Sequence, residues 1–246
     1  MIPHPASPRR STAVRALLLA YAVAATADVA LLLAGSSAGH TTVKPVLLLL
    51  LAACAALCGG PRLLTAALLC GWGGDVLLLV DDDLAFLAGM GSFAVGHLCY
   101  LALFARHARP AAVPDPGARA RRTALGLGYA TALVLVVALL WPDLPAGLRV
   151  PVALYSVLLT VVAFRAASLG PLAGLGGALF LLSDTLIATG IADWPQLPRP
   201  DAWVMLTYLA AQFLLAAGVL AAHARGLPEP VLTTTGNPTG SAPAPR

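Results

Sequence analysis

The chain has 246 residues, 59% of them hydrophobic and 11% charged, with a net charge of +4 and a mean hydropathy of +0.85. A soluble domain of this size is about a quarter charged, so the composition excludes an ordinary water-soluble enzyme and points to an all-α, polytopic membrane protein. The basic residues lie in loops and not on a face interleaved with aromatics, which argues against nucleic acid as a partner.

In chain order, residues 1–12 read as a short N-terminal segment carrying Arg9 and Arg10, followed by a first apolar span, Ala13–Ala34, that holds Tyr21 and Asp28. A cleaved signal peptide is the rival reading of this stretch, but the apolar run continues past the Ala22-Val-Ala24 spacing that would be cut. Gly35–Thr42 reads as a turn-rich loop. The second span, Val43–Cys58, opens on Lys44-Pro45, with proline near the helix start. The third, Leu63–Val80, carries Asp75 and ends at the acidic turn Asp81–Asp83; the fourth, Leu84–Ala105, carries His97 and Tyr100. A basic loop, Arg106–Arg122, precedes spans at Thr123–Trp141, Leu148–Phe164, Leu172–Ile191 and Ala202–Ala222, giving eight within a membrane domain of residues 13–222. Residues 223–246, rich in Pro, Thr and Gly, read as a disordered tail. The four cysteines all fall inside apolar runs, form no Cys-x-x-Cys pair, and read as small apolar fillers.

Lys and Arg gather on cytoplasmic loops. Placing both termini inside leaves only Lys44, Arg149 and Arg199 outside, where Asp81, Asp82, Asp83, Asp143, Asp193 and Asp201 all fall. This orientation, in a multi-pass protein of the cell membrane, the bacterial inner membrane by expectation, sets Asp75 and Asp184 at one depth on two outward-running helices, about 18 Å above the inner boundary. Tyr208 and Gln212 descend to a similar level, and Lys44 is expected at the outer face. Asp75 to Tyr100 and Asp184 to Tyr208 have nearly equal spacing, as two parallel four-helix halves would give.

An ionisable side chain in hydrocarbon costs roughly 2.5–3.5 kcal/mol or more and is usually kept for a site inside the bundle. Two carboxylates at one depth take different roles when one is held ionised by a neighbour and the other is kept protonated by apolar surroundings, an arrangement that hydrolyses C–O bonds by acid/base chemistry. His97 is read as the only histidine within a span. One histidine does not make a zinc site, so no metal or other cofactor is expected. Ser183 adjoins Asp184 without a nucleophile-elbow motif, which argues against a serine hydrolase. Gly71, Gly73, Gly74, Gly170 and Gly174 read as small residues that let helices approach closely. Asp28 reads as a packing or cavity-rim residue.

Lys44-Pro45, Gly74-Asp75, the run Gly91-Ser-Phe-Ala-Val-Gly-His97-Leu-Cys-Tyr100, the run Phe180-Leu-Leu-Ser183-Asp184, and Tyr208 with Gln212, in this order, resemble the YhhN family, which includes the lysoplasmalogenases. The resemblance implies an eight-helix membrane fold that hydrolyses the vinyl ether bond of lysoplasmalogens, a lysophospholipid substrate drawn from membrane lipid. It carries the catalytic pair onto Asp75 and Asp184, with Lys44, His97, Tyr100, Ser183, Tyr208 and Gln212 around the substrate. A small proton-coupled transporter or lipid flippase is the alternative that buried acids and a parallel repeat also suit.

Overall fold

In hydrocarbon a backbone amide has no water to bond, so an apolar chain satisfies its backbone within helices. The computed structural model describes residues 8–107 and 116–226, and these are all-helical. The long helices are α1 (Pro8–Leu33), α2 (Ser37–Leu57), α3 (Arg62–Leu77), α4 (Asp83–His107), α5 (Pro116–Leu140), α6 (Ala146–Ala166), α7 (Pro171–Ile191) and α8 (Pro200–Gly226); a 3-10 turn, Ala167–Leu169, joins α6 to α7. Among the described residues seven helices are long and apolar enough to cross a membrane. The exception is α3, whose 16 residues stop at Leu77, not at Val80. Beyond Leu77 the chain tightens into i→i+3 turns, Leu79 N–H to the Val76 carbonyl at 3.2 Å and Val80 N–H to the Leu77 carbonyl at 3.1 Å, before Asp82 caps α4, its Oδ1 accepting the Ala85 N–H at 2.9 Å.

Other boundaries also move. The Gly35–Thr42 loop shrinks because Ser36 caps α2, accepting the Gly39 N–H at 3.3 Å, and the helix starts at Ser37. Pro45 therefore lies inside α2 and not near its start. The 106–122 loop loses Arg106 and His107 to α4 and Pro116 onward to α5. At the C-terminal end, α8 runs through Gly226. The rest of the expected disordered tail, residues 227–246, lies outside the described residues, as do 1–7 and 108–115.

By contact, seven helices close a ring in the order α1, α2, α3, α4, α6, α7, α8 and back to α1, with α8 also reaching α2, α3 and α4 across the interior. Helix α5 is skipped. It lies outside the ring on α6 and α7, and Leu140 is its one buried residue. The main core fills the ring interior. A second, smaller core of Leu140, Leu144, Val152, Ala188 and Ala192 joins α5, α6 and α7 at the end of the bundle that carries the Asp81–Asp83 turn, hereafter the acidic end. There Trp194 donates its indole N–H to Asp143 at 2.8 Å, tying the α5–α6 turn to the α7–α8 loop.

The two most extensive helix contacts, α3 with α4 and α7 with α8, are glycine seams. A Cβ on Gly74 would stand 2.5 Å from the Phe93 ring, one on Gly96 3.0 Å from the Ala67 carbonyl oxygen, and one on Gly176 2.8 Å from the backbone nitrogen of Leu215, while Gly71 faces α2, 2.9 Å from Leu48. Such close approach supplies the dispersion contact that helices in lipid rely on for association. Gly170 differs from its expected role. A Cβ there would meet nothing, and the residue is needed for its φ of +131°, which turns the chain into Pro171 and α7. Gly218→Ala is expected to destabilise the protein by about 1–3 kcal/mol, because its new methyl would meet the Ala173 backbone nitrogen at 2.8 Å. Gly128→Ala, with open space around it, should be neutral or slightly stabilising; denaturant titration in mild detergent compares the two.

Candidate active site

Helices α3 and α7 start at the same end of the bundle, and Arg62 to Asp75 is the same length of helix as Pro171 to Asp184. Both carboxylates therefore stand about 20 Å from that end at 1.5 Å per residue. They line one cavity of about 90 Å3. Lys44, Tyr155, Ser183 and Tyr208 add to its polar floor, and apolar side chains of α4, α5, α6 and α7 form its walls.

Asp75, in the last turn of α3, is buried at 3% exposure. The Lys44 ammonium is 3.7 Å from its Oδ1, and the Tyr208 hydroxyl donates to its Oδ2 at 2.7 Å. Behind Tyr208 the donors run one way. Tyr100 donates to Gln212 Oε1 at 3.1 Å, and Gln212 Nε2 donates to the Tyr208 oxygen at 3.5 Å. Every hydrogen in the series points toward Asp75, which ends it as an acceptor with a cation alongside; that is the environment of an ionised carboxylate.

Asp184 is placed differently. It is half-buried because it forms part of the cavity wall, and the Tyr155 hydroxyl from α6 turns to it. Among the described residues no salt bridge reaches it, and Asp75 lines the same cavity. Ser183 lines the same cavity, donating to the Val204 carbonyl at 3.1 Å. Lys44 sits two turns inside α2 and faces Asp75; it is not at the outer end of its helix, because that helix starts at Ser37.

His97, Tyr100 and Gln212 do not line the cavity. Tyr100 and Gln212 act on it through Tyr208. His97 donates from Nδ1 to the Phe93 carbonyl at 2.7 Å, and its ring sits edge-on to Phe180, centroids 4.5 Å apart. Its Nε2 is buried without a partner.

A model of the YhhN family matches residues 39–219, from the first turn of α2 almost to the end of α8, and so takes in every residue of this site. The chain belongs to the YhhN family. Within it, the chain is 34% identical over 136 residues to the lysoplasmalogenase TMEM86B of Rattus norvegicus, covering 55% of this chain and 53% of that one. It is 36% identical over 135 residues to lysoplasmalogenase TMEM86B of Sus scrofa (55% and 54%) and 34% identical over 140 residues to the lysoplasmalogenase of Mycobacterium tuberculosis (54% and 51%). The chain thus spans about half the length of these relatives. No solved structure matches it.

The sequence reading of this YhhN chain does not single out Tyr155 and His40, nor Ser156 and Thr185 of the cavity wall. Tyr155 is a lone tyrosine in an apolar span, the same signal that singled out Tyr100, and it was open to the same argument. His40 was assigned to a loop. It lies in α2, one turn before Lys44, so His97 is not the only histidine within a span. Its Nδ1 is 2.9 Å from Oδ1 of the fully buried Asp28. Asp28 accordingly packs between α1 and α2 and does not rim the cavity.

Proposed function

We propose that the protein is a membrane hydrolase that cleaves the vinyl ether bond of lysoplasmalogens to a fatty aldehyde and a glycerophospho-base. The observation that carries this reading is the pair of carboxylates, from separate helices and at one level, on the polar floor of one otherwise apolar cavity. The names of the relatives give the substrate class. Eight spans with both termini cytoplasmic, arranged as two parallel halves in one membrane domain, complete the reading; the short α3 then crosses with its acidic end drawn in from the surface.

The surroundings support one division of roles. Asp184, without a cation, is the acid and gives its proton to the β-carbon of the vinyl ether, leaving an oxocarbenium ion. Asp75, held as carboxylate by Lys44 and Tyr208, faces that cation and takes a proton from the water that adds to the α-carbon. As the hemiacetal collapses, Asp75 returns this proton to the departing glycerol oxygen and the hemiacetal hydroxyl gives its proton to Asp184. Both acids are then reset, and no proton from outside is consumed. Ser183, in the cavity wall, meets the substrate, Tyr100 and Gln212 steady the Asp75 end through Tyr208, and His97 packs behind Phe180.

Purified protein in detergent, given lysoplasmenylethanolamine and no ion gradient, should release aldehyde. If lipid is instead moved intact across sealed vesicles and no aldehyde forms, the transporter reading takes its place. Tyr208→Phe keeps the ring contacts with Phe93 and Phe180 and removes one hydrogen bond to a charged group, worth about 1.5–3 kcal/mol. Aldehyde release should fall about ten- to hundredfold, with the protein still folded.

A further inference from the structure

Val136 belongs to α5, outside the helix ring, yet it lines the same cavity as Asp75, inside the ring. The wall therefore opens toward α5 at the level of Val136, where Phe86 and Met90 line the cavity from α4. On one side of this opening α5 is sealed to α6 and α7 by the Leu140–Leu144–Val152–Ala188–Ala192 core. On the other side α4 and α5, consecutive in the chain, scarcely touch. What spans the gap is the side chain of Met90, which reaches from α4 to the edge of that core, with Phe86 one turn nearer the acidic end. Methionine is unbranched and soft, so it can yield without moving a helix. The outward residues beside the gap, Leu84 and Leu87 on α4 and Leu135 and Leu139 on α5, are exposed and apolar, so the gap opens onto lipid tails and not onto water.

We infer that the gap between α4 and α5, closed by Met90 and flanked by Val136, is a lateral portal through which the single alkyl chain of a lysolipid passes from the bilayer to the two carboxylates. The portal rests on the hydrolase reading only for the identity of the lipid. The cavity is polar at the carboxylates and apolar toward the gap. That polarity matches a single-chain amphiphile held with its polar end at the carboxylates and its tail in the gap.

Two measurements test this. Met90→Trp narrows the gap, and the ratio of kcat/KM for a long-chain over a short-chain alkenyl lysolipid should fall about tenfold, the size of effect a change of pocket shape has on an apolar group. Met90→Ala should shift the ratio the other way, and an unmoved ratio in both variants overturns the portal. The second measurement needs no chemistry. A saturated alkyl ether lysolipid carrying a mid-chain diazirine should label peptides around Phe86–Met90 and around Val136, in wild type and in Asp184→Asn alike. Labelling confined to other helices overturns the portal. If wild type releases no aldehyde but the label falls on Met90 and Val136, the hydrolase reading fails and the portal stands.

Discussion

Asp184→Asn is expected to lower aldehyde release by at least about 10²-fold, the lower end of what a positioned acid contributes, with little change in stability. No cation is stranded by that substitution, because among the described residues no salt bridge reaches Asp184. Asp75→Asn should silence release as completely, yet it should also weaken the fold, since the Lys44 ammonium would be left buried with its carboxylate gone. Aldehyde release and denaturant unfolding, measured on the same two preparations, separate these outcomes. Equal stability loss in both variants would contradict the assignment of the ionised role to Asp75, and full activity in either would remove it from the chemistry.

The second large effect concerns Lys44. Removing one member of a buried ion pair typically costs about 3–5 kcal/mol, whereas replacing both by groups of like shape can be neutral. Lys44 is 9% exposed and its ammonium is 3.7 Å from Asp75, so Lys44→Met should be strongly destabilised and nearly inactive. The double variant Lys44→Met/Asp75→Asn should regain most of the stability and none of the activity. A coupling near zero in that double-mutant cycle would mean the two groups do not meet in the membrane.

Much of this was legible in the sequence because lipid makes polar residues conspicuous. Asp75, Asp184, Tyr208 and Ser183 stood out as interruptions in apolar runs, and the helix period with the depth of each span was enough to bring both acids to one level. What could not be read was direction around the helix axis. That His97 would turn to Phe180 and the Phe93 carbonyl, and that Lys44 would point across to Asp75 and not toward a surface, depend on the packing of neighbours. The boundaries move for local reasons. Ser36 caps α2 from within a segment whose polarity suggests a loop, so α2 begins early and takes His40 with it, while the chain beyond Leu77 tightens into i→i+3 turns that end α3 early. Tyr155, beside Ser156 in the apolar run of α6, gives the same signal as Tyr100 and is legible by the same argument.

The pairing of Asp28 with His40 bears on how sequences of this kind can diverge. The family match begins at residue 39, so α1 lies beyond it, yet Asp28 is held by His40 of α2, and Tyr21 donates to the Leu209 carbonyl of α8 at 2.9 Å. An acid sealed in the bundle without its imidazole would be poorly tolerated, and so would an imidazole left facing hydrocarbon. Chains that keep histidine at the position of His40 should therefore keep an acid at that of Asp28, and lineages that lose one should lose the other.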